Sequence, residues 1–218
     1  MTARSVFAAD LEKVNNQIIK LGEAAINALA DAVGALAMRN TELAKSVIEH
    51  DLVIDRIELD INNQAFLLMA RQQPVATDLR RLVTALKIAS DLERMGDNAK
   101  NIAQTALKLR SDSPLALHPS ILKMERKAIE MAKLAIKAFT NEDAALAMQF
   151  CVMDDEIDSS YETIVQELFA EQILDEGELQ HALHMAFCAR YIERFADHVT
   201  NIAEAVVFLV KGENCQLN

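Results

Sequence analysis

From Val6 to Met38 apolar residues return every three or four positions, with Leu11, Val14, Ile18, Leu21 and Ala25 on one stripe, until the polar run Arg39-Asn40-Thr41 interrupts them. That period predicts an amphipathic helix, and Asn40 or Thr41 is placed to cap the next one by accepting bonds from its unpaired first-turn amides. A second stretch, Glu42 to Ala70, closes at Arg71-Gln72-Gln73-Pro74, because proline drives the residue before it out of helical geometry. Thr77 or Asp78 is then expected to cap a third helix, which carries Leu79, Leu82, Leu86 and Ile102 to about Leu109. Helices of about 30 residues span about 45 Å, and none can bury its stripe alone. An antiparallel three-helix bundle is the expected solution.

The pattern then begins again. Ser111 to Ser120 holds Pro114 and Pro119, two of the three prolines, and reads as a connection. Residues 1–112 are expected as the first unit, 113–119 as the linker and 120–218 as the second unit. Three further helices are predicted, from about Pro119 to Phe139, Glu142 to Leu174 and Glu178 to Val210, with breaks at Thr140-Asn141 and Asp175-Glu176-Gly177. The expected fold is therefore all-α, six long helices forming a tandem repeat of two antiparallel three-helix bundles.

Aligning the chain with itself tests the duplication. Residues 88–108 and 188–208 agree at 7 of 21 positions with an offset of 100: Ala89/Ala189, Glu93/Glu193, Arg94/Arg194, Asp97/Asp197, Asn101/Asn201, Ile102/Ile202 and Ala103/Ala203. Keeping a fold requires mainly apolar spacing, yet most of these matches are polar. The duplication points to a site present twice.

Composition supports the helical reading and narrows the partners. Only 5 Gly and 3 Pro stand among 218 residues, 51% of which are apolar, too few turn formers for a sandwich or barrel. The net charge of −11 lacks the basic footprint of nucleic-acid binding. It is also uneven: residues 1–112 hold 14 basic and 15 acidic groups, residues 113–218 hold 8 and 18. The second half is therefore expected to meet cations or a basic partner more strongly. No uncharged apolar run approaches the ~18 residues of a membrane span, and the opening MTARSVFAADLEK lacks the apolar core of a secretion signal. Cys151, Cys188 and Cys215 are odd in number and show no C-x-x-C spacing, which fits a reduced, cytoplasmic setting.

The polar signature of both repeats is E-R-x-x-D. Residues four apart are rotated by only ~40° about a helix, so Glu93 and Asp97 share a face, as do Glu193 and Asp197. The preceding helices add Asp51 with Asp55 and Asp154 with Asp158. If antiparallel packing sets each D-x-x-x-D level with the E-R-x-x-D of its bundle, four carboxylates meet. Such a nest must protonate, pair with Arg or Lys, or bind a metal, and oxygen-only ligation suits Mg²⁺, Mn²⁺, Ca²⁺ or iron. A lone acidic pair says little, because 33 acids in this length generate about five such pairs by chance. Recurrence at corresponding points is what separates a site from a solvated face.

Other polar residues carry less. Arg94 and Arg194 follow the Glu and on an ideal helix point ~100° away from it, toward a neighbouring element or an anion. Arg80 and Arg81 suit a carboxylate or phosphate contact, although one basic pair on a helix is ordinarily surface. His181 and His184 lie early in the last helix, away from the acidic pairs. A carboxylate-bridged iron protein of ferritin-like type would need two Glu-x-x-His motifs, and Glu178 to His181 is the single match. No nucleophile and base set and no Gly-rich phosphate loop can be picked out, so no enzyme activity is expected.

The run RQQPVATDLRRLVTALKIASDLERMGDNAKNIA (71–103), followed by ARYIERFADHVTNIAEAVVF (189–208), resembles the PhoU family of bacterial phosphate-signalling proteins over essentially the whole chain. The resemblance implies two repeats, each a three-helix bundle. It also implies multinuclear metal clusters on Asp51, Asp55, Glu93 and Asp97 and on Asp154, Asp158, Glu193 and Asp197, with manganese, magnesium, iron or zinc as the expected ions. One departure is Gly96 opposite Ala196, which loosens that helix turn at a cost of ~1 kcal/mol. The implied role is non-enzymatic: restraint of phosphate-starvation signalling and of phosphate uptake, by linking the phosphate-specific ABC transporter ATPase to a membrane sensor histidine kinase. A homodimer is implied too, touching the membrane only through its partners. An accessory to another phosphate carrier is the neighbouring alternative.

Overall fold

Where the chain leaves its first helix, the Asn40 side chain accepts a hydrogen bond from the Leu43 amide, 3.0 Å away, and the second helix starts from that cap. A computed structural model describes residues 3–109, 117–149, 151–170 and 176–217. The helices are α1 (Ala3–Met38), α2 (Thr41–Gln72), α3 (Ala76–Lys108), α4 (Pro119–Thr140), α5 (Ala144–Ala147), α6 (Cys151–Ala170) and α7 (Glu176–Lys211), with no strand among the described residues. Most of the connection expected at 111–120, and the end of the fifth predicted helix at Leu174, lie outside the described residues.

Two expectations are corrected. The cap of α3 is Val75, which makes no side-chain bond, and not Thr77 or Asp78. Helical geometry resumes two residues after Pro74, so both polar residues fall inside the first turn, where they accept bonds from Arg80 and Arg81 instead. The helix predicted from Glu142 to Leu174 is divided. Asp143 Oδ1 accepts bonds from the Ala145 and Leu146 amides at 3.0 Å, starting α5, but Met148 and Gln149 bond back to Ala144 and Leu146 and close it after one turn. No glycine or proline marks this break, so the apolar spacing hid it. Six long helices remain, and the one-turn α5 together with α6 stands where the first repeat has the continuous α2.

Packing follows the apolar stripes. α1, α2 and α3 form one bundle and α4, α5, α6 and α7 the other, with α3 lying along α7 and α1 along α4 to join them. Alanines Ala85, Ala89 and Ala103 of α3 and Ala189, Ala196 and Ala203 of α7 are fully buried, and such short side chains let helix axes approach. Leu82, Ile88, Leu92, Ile192 and Phe195 fill the remaining volume. α1 is the one described helix long and apolar enough to cross a membrane by length and composition. Its stripe residues Val14, Ile18, Leu21 and Ala25 are nevertheless completely buried in the bundle. α2 and α6 lie outermost, neither touching the opposite bundle. Along α2, Leu52, Leu59 and Phe66, each seven residues apart, turn toward solvent.

Candidate metal centre

Each outer helix meets the last helix of its own bundle at the acidic pairs. In the second bundle α6 brings Asp154 and Asp158 against Glu193 and Asp197 of α7. One oxygen each from Asp158, Glu193 and Asp197 lies within 4.8 Å of the others, the one such acidic group among the described residues. Asp158 is exposed, Asp197 half-buried and Glu193 only 8% exposed. Asp154 is buried beneath them, outside the converging trio but close enough for its charge to act on Asp158 and Glu193.

Burial and crowding make these groups hard to ionise. Burial above all, then the Asp197 charge, pushes the Glu193 carboxyl up to about 7 against the partial relief of Arg190. Burial likewise raises Asp158, helped by Asp154 and Asp155. Asp197 is raised by burial, which outweighs the opposing charge of Arg190. Arg190 donates from Nη1 to Glu193 Oε1, whereas Glu193 Oε2 is buried with no hydrogen-bond partner. An oxygen so placed, in a set that resists carrying three negative charges, fits a hard cation such as Mg²⁺, Mn²⁺ or ferrous iron.

The first bundle sets the same residue types at the same places with another outcome. Asp51, 2% exposed, accepts a bond at Oδ2 from Lys100 Nζ, which is also 3.7 Å from Asp97 Oδ1. The ammonium thus bridges α2 and α3. Burial still raises the Asp51 carboxyl, with Lys100 opposing and Asp55 and Asp97 adding to the rise. Glu93 is raised by burial and by Asp97. Arg94 is expected from helix geometry to point away from Glu93, toward a neighbouring element or an anion, but its long side chain stays on its own helix, placing Nε 3.6 Å from Glu93 and Nη1 3.5 Å from Asp97. The structure brings all four residues to one place, yet three of their oxygens do not converge as they do in the second bundle.

The remaining candidates stand elsewhere. Arg80 donates to Thr77 at 3.2 Å and lies against Gly212 at the end of α7, about 20 Å along α3 from Glu93. Arg81 makes a two-pronged pair with Glu142, at 2.9 and 3.3 Å, across the two bundles. Arg194 is exposed, and its charge acts on Asp197. His181 is buried and His184 is lowered by burial and by Lys108; both precede Glu193 by more than two turns, so the Glu178 and His181 match does not join the acidic trio. Reading the sequence missed Lys100 and Arg190, although each sits three residues from an acidic partner, the spacing that places two side chains on one helix face. It also missed Asp91, which has His198 Nδ1 at 2.9 Å and Asn201 Nδ2 at 3.1 Å and ties α3 to α7.

Comparison with known proteins agrees with this doubled architecture. The PhoU domain matches twice, at residues 18–106 and 121–206. The chain is similar to a phosphate-specific transport system accessory protein PhoU homolog of Clostridium acetobutylicum, at 32% identity over 99% of both chains. It is similar to the phosphate-specific transport system accessory protein PhoU of Escherichia coli as well, at 34% identity over 95% of this chain and 86% of that one. Among solved structures, the phosphate transport system regulatory protein PhoU of Streptococcus pneumoniae superposes with a TM-score of 0.89 at 28% identity, covering 96% of this chain and 99% of the other. With both bundles matched and relatives aligned from end to end, the chain belongs to the PhoU family.

Proposed function

We propose that this protein is a non-enzymatic, cytoplasmic regulator of phosphate homeostasis. In this reading it restrains the phosphate-starvation response and phosphate uptake when phosphate is plentiful, acting between the ATPase of a phosphate-specific ABC transporter and a sensor histidine kinase. The observation that carries it is the end-to-end likeness to relatives that are themselves named accessory proteins of phosphate-specific transport. Two features of the chain support it. The exposed Leu52, Leu59 and Phe66 of α2 suit contact with another protein, and the duplicated bundles match the doubled PhoU domain.

In the same reading the protein is a homodimer, and its carboxylate clusters act as clamps. Asp158 on α6 with Glu193 and Asp197 on α7 would hold a Mn, Mg, Fe or Zn ion, whose chemistry there is charge neutralisation and cross-linking of two helices. Deleting the gene in the parent bacterium tests the regulatory role. Phosphate-scavenging genes should be expressed in phosphate-rich medium, and normal repression there would overturn the assignment. Capture of the tagged protein from membranes should retain the transporter ATPase and the sensor kinase.

A further inference from the structure

The outer face of α2 turns two apolar rows toward solvent. Residues seven apart return to within ~20° on a helix, so Leu52, Leu59 and Phe66 form one row and Val53, Asp60 and Leu67 a second beside it. The five apolar members are 48 to 68% exposed. α2 packs on α1 and α3 through its opposite face, which carries Val47, Ile54, Ile61 and Leu68. The second row borders a cleft of about 330 Å³ between α1 and α2, lined on its apolar side by Ala24, Ala28, Val53 and Ile54. Ridge and cleft together make a continuous apolar patch on an outermost helix, the mark of an interaction surface.

The order of residues along the rows selects the occupant. The first row is symmetric about Leu59 and the second about Asp60, so one two-fold axis between these neighbours serves both, as a self-complementary interface requires. With α2 antiparallel to its copy, each row lies against the same row of the second chain. Leu59 then meets the partner's Leu59, Leu52 meets the partner's Phe66, and Val53 with the cleft beside it receives the partner's Leu67. The axis also brings two Asp60 carboxylates together, and Arg56, exposed between the rows, lies within one turn of the partner's Asp60 and neutralises it. Net charge favours the same face. Residues 1–112 hold 14 basic and 15 acidic groups, so copies meeting through α2 oppose nearly neutral halves. Leu179, Leu183 and Phe187 of α7 are exposed too, but they belong to the half with 8 basic and 18 acidic groups, which would repel its copy. We propose that two copies of the chain associate by antiparallel packing of α2 on α2, with the two-fold axis passing between Leu59 and Asp60.

This inference rests on the homodimer reading above, and equilibrium sedimentation of the full chain separates the two. Wild type should sediment as a dimer. Leu59→Glu sets two carboxylates at the axis, at a position exposed in the single chain; it should raise the dissociation constant on the order of a hundredfold while the circular dichroism stays that of wild type. Leu183→Glu, the same change on the exposed row of α7, should leave the dimer intact. Arg56→Glu should weaken association about tenfold, and adding Asp60→Arg should restore it. Leu59→Cys, once oxidised, should yield a peptide linked to its own copy through residue 59. If Leu59→Glu does not fold, the cross-link and the charge exchange decide. A monomeric wild type would overturn the homodimer reading and this interface with it. A dimer that survives Leu59→Glu and forms no link between the two residues 59 would leave the homodimer standing and overturn the α2 interface.

Discussion

The two bundles present four carboxylates each at corresponding positions, and in each a cation takes one oxygen of a buried carboxylate and leaves the other without a partner, yet among the described residues three oxygens converge only in the second bundle. Residue type and spacing therefore do not decide how closely such carboxylates converge. What differs is where the nearest cation stands, across the helix pair in the first cluster and on the same helix as its partner in the second. Both arrangements set a cation where an outer helix meets a central one: Lys100 of α3 reaches Asp51 of α2, whereas Arg190 of α7 pairs with Glu193 of its own helix and lies over the Tyr161 ring of α6.

Removing the internal cation should have the largest effect. Lys100→Met leaves Asp51, 2% exposed, without its countercharge, and breaking such a buried pair costs about 3 kcal/mol. Urea denaturation of the chelated protein measures it. Arg190→Met removes a cation that is 45% exposed, so its loss should stay below about 1 kcal/mol. Equal losses would erase the distinction drawn between the bundles.

Acidity sharpens the same comparison. In the chelated protein the Glu193 carboxyl titrates at about 7 instead of the usual 4.5, so between those values the folded chain holds a proton that the unfolded chain has released. Stability is then greatest at the acid end and falls as pH rises toward 7, by an amount on the order of 2 kcal/mol. Melting curves taken from pH 4.5 to 7.5 should show this decline, and Glu193→Gln should flatten it. Glu93→Gln should flatten it less, since the Glu93 side chain is 24% exposed against 11% for Glu193. Stability that climbed with pH through this window would contradict the buried, crowded state of Glu193.

Position 96 comes next in size. A methyl added to Gly96 would lie 2.9 Å from Ile54 Cδ1 and 3.0 Å from its Cγ2. Gly96 is thus a close-approach residue that lets α2 seat on α3, more than the loosened turn that composition alone suggested. Alanine gains ~1 kcal/mol in helix propensity, whereas overpacking costs ~1–3 kcal/mol, so Gly96→Ala should lose about 1 kcal/mol overall. Ile54→Val, which removes Cδ1, should restore part of the loss in the double variant. In the second bundle Ala196 is already accommodated at full burial.

Much of this could be read from the chain. Asn40, Pro74 and Asn141 are strong local punctuation, and the helices bounded by them begin or end within a few residues of expectation. The break after α5 was illegible because Ala144 to Ala147 is good helical sequence, and what stops it is the tight turn of Met148 and Gln149. The acidic residues were legible through duplication. Which of them converge was not, because convergence depends on side-chain directions and on Lys100 crossing to Asp51, 49 positions away in the chain. The resemblance supplied the family, but it treated the two clusters alike.

The smallest effect tests whether the asymmetry extends beyond the clusters. Arg81, at the start of α3, reaches Glu142 in the turn between α4 and α5, bonding both carboxylate oxygens. Its repeat counterpart is His181, buried near the start of α7, so a basic residue is replaced by an imidazole held inside the fold. With Arg81 35% and Glu142 43% exposed, solvent screens the pair, and a double-mutant cycle of Arg81→Ala and Glu142→Gln should give a coupling of about 0.5 kcal/mol. Raising the salt to about 1 M should reduce that coupling toward zero, because the screening length then falls to about 3 Å. A coupling that survived high salt would mean that the guanidinium packs as well as pairs, and that the bundles are held together here more firmly than charge alone provides.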